Sequence, residues 1–316
     1  MPCQVPPTTA DPEHDRPGNP VHLSRRDFLA GVALGGAALA SGCSRQPGSR
    51  GNAGGWYAWM SDVHLATDPK VKVHGQVMAD NLRAVIDDVL GADDPPRGLV
   101  INGDLAYRDG QPSDYRTLLN AVEPLRHGGI PLHLALGNHD DRDHFRAALG
   151  DPVESDPSGL TQCVGEVEGP GIRMLLLDSL NGTRAVGGQL GEAQRAWLAA
   201  RLDAHPETPT VVFVHHNLNA QWVSALHDTD ALLDVLRPRR QAKAVVFGHT
   251  HVFNARRLGD LHAINLPAVG YRFSPKQPLG WCLFRPGPDG GELELRCVSG
   301  NRRQHRRRID LRWRSA

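Results

Sequence analysis

Five short segments of the chain carry side chains suited to metal ions: Asp62-Val63-His64, Gly103-Asp104, Gly137-Asn138-His139-Asp140, His215-His216 and Gly248-His249-Thr250-His251. Their donors are carboxylate, imidazole and amide oxygen, and no thiol belongs to the set. Such a list suits two divalent ions about 3.5–4 Å apart that promote hydrolysis at phosphorus. Mn, Fe and Zn all tolerate it. A carboxylate has two oxygens and can bridge two ions, and Asp104, alone in its turn, is the natural candidate. Each segment ends an apolar run that reads as a strand. Side chains at i and i+2 of a strand share a face, so Asp62 with His64, and His249 with His251, are expected to reach one cluster together. Glycines 103, 137 and 248 let the backbone turn sharply and come close to the ions.

The runs that deliver these segments are Trp56–Ser61, Gly98–Ile101, Ile130–Leu136, Val211–Val214 and Ala244–Phe247. Between them, apolar spacing predicts helices over Gln76–Leu90, from an N-cap at Ser113 through Leu125, around Phe145–Leu149, over Gln189–Leu202 and over Asp230–Leu236. Closer strand signals occupy Gln162–Val167 and Ile172–Leu177, and the chain is β-rich after Val252, with a tight turn at Asp289-Gly290-Gly291. The βαβαβ opening implies parallel strands with right-handed crossovers. The expected class is α/β: a four-layer α/β/β/α sandwich of two mixed sheets, with a dinuclear site at the C-terminal ends of the strands, where open α/β sheets place their sites.

The pattern resembles the calcineurin-like metallophosphoesterases, and within them the class III cyclic nucleotide phosphodiesterase and glycerophosphodiesterase branch. Gly137-Asn138-His139-Asp140-Asp141-Arg142, Leu177-Asp178-Ser179, Gly187-Gly188-Gln189-Leu190 and Gln194-Arg195-Ala196-Trp197-Leu198 carry that likeness, over roughly residues 56–255. The resemblance implies that Asp62, His64 and His251 hold a first metal, that Asn138, His215 and His249 hold a second, and that Asp104 bridges. His215 is taken over His216 because it matches the first of the family's pair. The resemblance also makes His139 the general acid that protonates the leaving oxygen, with Asp140 orienting nearby imidazole or backbone. A metal-activated hydroxide would attack phosphorus in line.

Two departures stand out. His215-His216-Asn217-Leu218 replaces the His-His-Pro-Pro of related enzymes, which predicts a looser loop. Tyr107 sits where purple acid phosphatases place an iron ligand, but those lack a histidine at the His64 position. Tyr107 is therefore expected beside the ions or facing substrate. Trp222, in the polar loop after His215, is a candidate for stacking on a substrate base. Asp178 reads as turn or hydrogen-bonding structure.

Charge is balanced, with 35 basic and 35 acidic side chains, so no nucleic-acid partner is expected. The substrate is instead expected to be a small phosphodiester, of 3′,5′-cyclic nucleotide or glycerophosphodiester type. The alternatives are a phosphomonoesterase or nucleotidase of the same fold, and a membrane-tethered binding module without turnover. Cys3, Cys43, Cys163, Cys282 and Cys297 lack CxxC spacing, which argues against a zinc knuckle.

Residues 1–43 read as an export signal. Ser24-Arg25-Arg26-Asp27-Phe28-Leu29 resembles a twin-arginine motif, and the apolar run Leu29 to Ala40 is too short to span a bilayer. Ala40-Ser41-Gly42-Cys43 resembles a lipobox and would anchor the protein to a membrane through lipidated Cys43; cleavage after Ala38-Leu39-Ala40 would instead leave that cysteine free. An extracytoplasmic location follows. Residues 44–55 read as a linker, 56–300 as the metallophosphoesterase domain and 301–316 as a basic C-terminal segment.

Overall fold

The computed structural model describes residues 55–149 and 160–315. The export signal, Cys3, Cys43 and nearly all of the linker lie outside these. Among the described residues, no helix is long and apolar enough to cross a membrane.

The chain runs β1 (Tyr57–Met60), a small hairpin of β2 (Lys72–Val73) and β3 (Gln76–Val77), α1 (Met78–Leu90), β4 (Leu99–Asn102), α2 (Pro112–Ala121), α3 (Glu123–His127), β5 (Leu132–Ala135) and α4 (Arg142–Leu149). It continues with β6 (Gly165–Gly169), β7 (Ile172–Leu176), α5 (Gly191–Asp203), β8 (Thr210–Phe213), α6 (Thr229–Leu236), β9 (Ala242–Phe247), β10 (Asn254–Leu258) and β11 (Leu261–Asn265). Long β12 (Pro278–Gly287), β13 (Gly290–Gly300) and β14 (Arg308–Arg312) end it.

Two six-stranded sheets form, ordered β14-β13-β12-β1-β4-β5 and β10-β11-β9-β8-β7-β6. Within the first, β1, β4 and β5 are parallel and β12 joins β1 antiparallel. In the second, β7, β8, β9 and β11 are parallel, while β6 and β10 are antiparallel edges. Mixed sheets in an α/β/β/α sandwich are what the sequence led us to expect.

Strand alternation builds the layers. Tyr57 and Trp59 face the second sheet and pack with Met174, Leu176, Val211, Phe213 and Val246, whereas Ala58 and Met60 face α1–α3 with Leu82, Val85 and Leu118. On the far side, Val212, Val214 and Val245 pack with Leu198, Leu202, Leu232 and Leu236 of α5 and α6. Trp59 is the inter-sheet anchor: fully buried, stacked on Phe284 at 4.1 Å and edge-on to Phe213 at 5.2 Å. Cys282 and Cys297 are buried free thiols.

Three local expectations change. Gln76 and Val77 pair with Val73 and Lys72, so the first helix begins at Met78. The second begins at Pro112 and has no side-chain cap; the Ser113 hydroxyl meets Thr67 instead. That helix was expected to run through Leu125, but Pro124, which has no N–H to donate, opens a separate turn, and α2 ends at Ala121. The basic C-terminal segment contains β14, which pairs with β13, and the buried guanidinium of Arg314 caps Leu236, Arg239 and Ala242 carbonyls.

Replacing Trp59 with Ala is expected to destabilise the fold by about 3–5 kcal/mol in urea unfolding. Trp59→Phe should cost far less, because the buried indole N–H has no partner to lose.

Candidate metal centre

The parallel strands of both sheets point their C-terminal ends at one place. β1 and β4 deliver Asp62, His64 and Asp104, β5 delivers Asn138 and His139, β8 delivers His215, and β9 delivers His249 and His251. Their loops brace one another: Asp62 N–H donates to Gly103 O at 3.1 Å, His64 N–H to Asp104 O at 2.9 Å, and Gly248 N–H to His215 O at 3.0 Å.

The expected pairing by strand alternation is not how Asp62 meets His64. β1 stops at Met60, and the backbone beyond it coils left-handed, with φ of 56° at Asp62 and 50° at His64. Asp104, His249 and His251 share that conformation, at 51°, 68° and 57°. A left-handed non-glycine residue costs about 1–3 kcal/mol, and such strain clusters at functional sites. Here it turns each side chain back under the sheet edges.

The donor atoms then converge. Asp62, His64 and His251 form one group, Asp104, His215 and His249 a second, and His64, Asp104 and His139 a third that overlaps both. His64 Nε2 lies 3.2 Å from His251 Nε2, and His251 Nε2 lies 3.3 Å from Asp62 Oδ1. Asp104 Oδ2 stands between the groups, 3.5 Å from His64 Nε2 and 3.3 Å from His215 Nε2. Donors around one tetrahedral ion with bonds of about 2.0–2.1 Å sit about 3.3–3.4 Å apart, so the spacing fits bound cations.

Unpartnered atoms point the same way. His215 Nε2 and Asn138 Oδ1 are buried without a hydrogen-bond partner. Such a loss is tolerated where something else coordinates them. Nδ1–H of His215 donates to Asn102 O at 2.9 Å, and Nδ1–H of His251 donates to Tyr271 O at 2.7 Å. A carbonyl only accepts, so each ring presents Nε2 to the cluster, the usual outer support of a metal-binding imidazole.

Electrostatics state the same demand. Burial pushes the Asp62 carboxyl up, but His251 and His215 bring it down to about 2; Asp104 is likewise held well below its usual value, its burial outweighed by His215 and His64. Burial lowers His64 to about 3 and His249 to about 4, leaving both neutral with free lone pairs. At His215 burial is overcome by the two carboxylates, chiefly Asp104, and the ring rises to about 10. The two buried anions thus draw a positive charge to the join, a proton on His215 or a cation.

Other side chains hold the frame. A Cβ on Gly137 would collide with Asp104 Oδ1, and one on Gly248 would meet Asp62 Oδ2 at 2.5 Å. Asp140, expected to orient imidazole or backbone, holds backbone, and among the described residues no imidazole hydrogen-bonds to it. Its carboxylate accepts the N–H groups of Leu105, Ala106 and Gly137 at 2.8–3.1 Å and the Tyr115 hydroxyl at 3.2 Å, which locks the Asp104 turn to the Asn138 loop. Asp178 ion-pairs with Arg142 and caps Cys163 and Leu180, as its turn reading anticipated. His139 is half-buried; its N–H donates to Asp104 Oδ1 at 3.0 Å and its ring stands edge-on to His64 at 5.0 Å.

At the Asn217 departure the loop is hydrogen-bonded across itself. Asn217 Oδ1 accepts from Asn219 N–H and Nδ2 donates to Ser224 O, so the side chain ties both ends together. Tyr107 is half-buried, packs against the small cluster of Ala66, Met78 and Tyr271, and accepts a hydrogen bond from Arg108. Sequence reasoning gave no role to Asn102 or Tyr271, and quoted Ser179 only within a motif; its hydroxyl meets His216 Nδ1 at 2.7 Å. Asn102 directly precedes the Gly103-Asp104 segment, and that adjacency was the one available signal.

Residues 56–253 match the family described as calcineurin-like phosphoesterase. A protein of Synechococcus sp. named as a probable cyclic nucleotide phosphodiesterase is 29% identical over 240 residues, 74% of this chain and 88% of its own. The 3′,5′-cyclic adenosine monophosphate phosphodiesterase CpdA of Pseudomonas aeruginosa is 28% identical over 222 residues, 68% and 76% of the two chains. A cAMP/cGMP dual specificity phosphodiesterase of Mycobacterium tuberculosis is 32% identical over 200 residues, 61% and 60%. Among solved structures, a dimetal phosphatase from Danio rerio superposes with a TM-score of 0.64 at 17% identity, covering 82% of this chain and 99% of its own.

Replacing Asp104 with Asn is expected to cost one of two ions by elemental analysis and to slow turnover by more than about 100-fold. Asp140→Asn should weaken metal affinity by only about 10–100-fold, the usual effect of an outer partner. An Asp104→Asn protein with both ions and full rate would remove that residue from a bridging position.

Proposed function

The chain belongs to the calcineurin-like phosphoesterase family and is a phosphoric ester hydrolase, and on that premise we propose that it cleaves 3′,5′-cyclic nucleotides. The observation that carries the reading is the placement of Asp104 Oδ2 between imidazoles from both sheets. One carboxylate oxygen shared by two donor groups is an arrangement that suits a pair of cations.

We assign Asp62, His64 and His251 to one ion, Asn138, His215 and His249 to the other, and Asp104 to both. Two divalent ions supply Lewis acidity toward the attacking water and the phosphoryl oxygens. Asp62 and Asp104 carry −2 against the +4 of such a pair, and a hydroxide nucleophile with a phosphodiester monoanion completes the balance. Among the described residues, no Lys or Arg ion-pairs with these carboxylates. Arg142, the nearest in sequence to the His139 loop, is committed to Asp178 and the Leu180 carbonyl. This favours a diester over a phosphomonoester dianion.

His139 is half-buried, its Nδ1 is buried without a hydrogen-bond partner, and on the sequence resemblance we assign its ring as the proton donor to the leaving oxygen. Its backbone bond to Asp104 and its edge contact with His64 hold it over the same side of the cluster. Asp140 positions this loop rather than reacting. Glycerophosphodiesters share the diester charge and are the second substrate class, an assignment resting on the sequence resemblance alone. The twin-arginine pattern and Cys43 support an extracytoplasmic, lipid-anchored enzyme that releases phosphate esters from exogenous diesters.

Two assays test this. The metal-loaded enzyme is expected to hydrolyse 3′,5′-cyclic AMP and a bis-nitrophenyl ester much faster than a mono-nitrophenyl ester; a strong monoester preference overturns the reading. His139→Ala should lose about 10²–10⁴-fold on cyclic AMP, whose leaving alkoxide needs a proton, and much less on the bis-nitrophenyl ester. Equal losses would take the acid role from His139.

A further inference from the structure

Beside the cluster, on the His251 side, stands an aromatic ring that is held firmly yet not buried. Phe273 is 59% exposed. One face stacks on the His251 ring at 4.4 Å and 27°, which leaves the opposite face to solvent. Its edge meets Tyr271 at 5.5 Å and 88°, and His74, at the turn of the β2–β3 hairpin, at 6.0 Å. The backbone under it is clamped: Gln277 Oε1 accepts from Phe273 N–H at 2.8 Å and Ser274 N–H at 2.9 Å, while Gln277 Nε2 donates to Thr250 O. One short segment therefore both fixes His251, through Tyr271 O, and presents Phe273.

Singly exposed apolar residues are ordinary on protein surfaces. Phe273 differs in touching a ring of the donor cluster and in being locked by three ring contacts and a glutamine clamp. Trp222, the base-stacking candidate from sequence, is 54% exposed but has no ring contact among those found in the described residues.

We infer that Phe273 is the nucleobase platform of this site, an inference that rests on the cyclic nucleotide reading. The chain of contacts gives its direction. His139 and His251 both adjoin His64, at 5.0 and 5.2 Å between ring centroids. His64 thus adjoins both the ring assigned to protonate the sugar oxygen and the ring on which Phe273 stacks, and the base of a nucleotide is one sugar ring away from phosphorus. An aromatic face accepts any base, so the platform selects nucleotides over glycerol esters without selecting adenine over guanine. Its pre-set orientation means that little side-chain freedom is lost when a base stacks on it.

The test uses the full metal-loaded protein. Phe273→Ala is expected to weaken equilibrium binding of 5′-AMP, and to raise KM for 3′,5′-cyclic AMP, by about 5- to 150-fold, the range lost when a base-stacking aromatic is truncated. Inhibition by inorganic phosphate should stay within about twofold, metal content should not change, and Phe273→Trp should retain AMP binding. The inference is overturned if AMP and phosphate weaken together, if neither changes, or if Trp222→Ala rather than Phe273→Ala loses AMP. A wild-type enzyme that cleaves other diesters but not cyclic AMP overturns the nucleotide reading itself, a result visible before any variant is made.

Discussion

Two carboxylates, Asp62 and Asp104, are buried within reach of the same imidazoles at the join of two sheets, and the charge they bring there governs the rest of the structure. An ionised carboxylate away from water is costly unless it is paired and hydrogen-bonded. Each has a backbone donor: His249 N–H reaches Asp62, and His139 N–H reaches Asp104. What remains is met by histidines, of which His215 faces both anions and rises to about 10. The same field that draws a proton to His215 draws cations, and binding a cation requires that proton to leave. The site is thus an anionic socket whose walls are neutral imidazole.

Closing that socket needs geometry that neither sheet has alone. Asp62, His64 and Asp104 come from the first sheet, while His215, His249 and His251 come from the second. The inter-sheet core around Trp59, Phe213 and Phe284 sets the spacing between them. Two hydrogen bonds then couple the sheets at the site itself: Asn102 Nδ2–H donates to Val214 O, and His215 Nδ1–H donates back to Asn102 O. Asn102 sits at the end of β4 and Val214 just past β8, so this pair fixes how far the two strand ends stand apart. Packing and chemistry meet in one residue that ligates nothing.

How far the site could be read from the sequence follows from what leaves a mark on residue type. Candidate metal-ligating side chains do: Asp62, His64, Asp104, His215, His249 and His251 stand at the ends of apolar runs, Asp104 and His249 beside glycines, and the structure gathers their donor atoms. The layers were legible too, because alternation in β1 and helical spacing in α1 state which face each residue buries. Backbone acceptors leave no mark. The carbonyls of Asn102 and Tyr271 that set the imidazole tautomers could belong to any residue. Left-handed turns at Asp62 and His64 were equally hidden, since no glycine announces them, and alternation was the wrong reason for a correct pairing. Asp140 was legible as an orienting residue, and its four hydrogen bonds show that what it orients is chiefly backbone.

The alternative of a binding module that keeps this fold without turnover must be weighed against the fold's own breadth. The sandwich alone decides nothing, because one fold can host many functions and function rests on the site. The strained residues carry more weight. Asp62, His64, Asp104, His249 and His251 each hold a left-handed backbone worth about 1–3 kcal/mol of strain, in a domain class whose net stability is about 5–15 kcal/mol. Two anions are buried in the same few ångströms. Bound cations would offset both costs, the strain through ligation and the buried charge through pairing. The strained, anionic set is what a metal site demands, and the hydrogen-bonded loops and inter-sheet core around it hold that set in place.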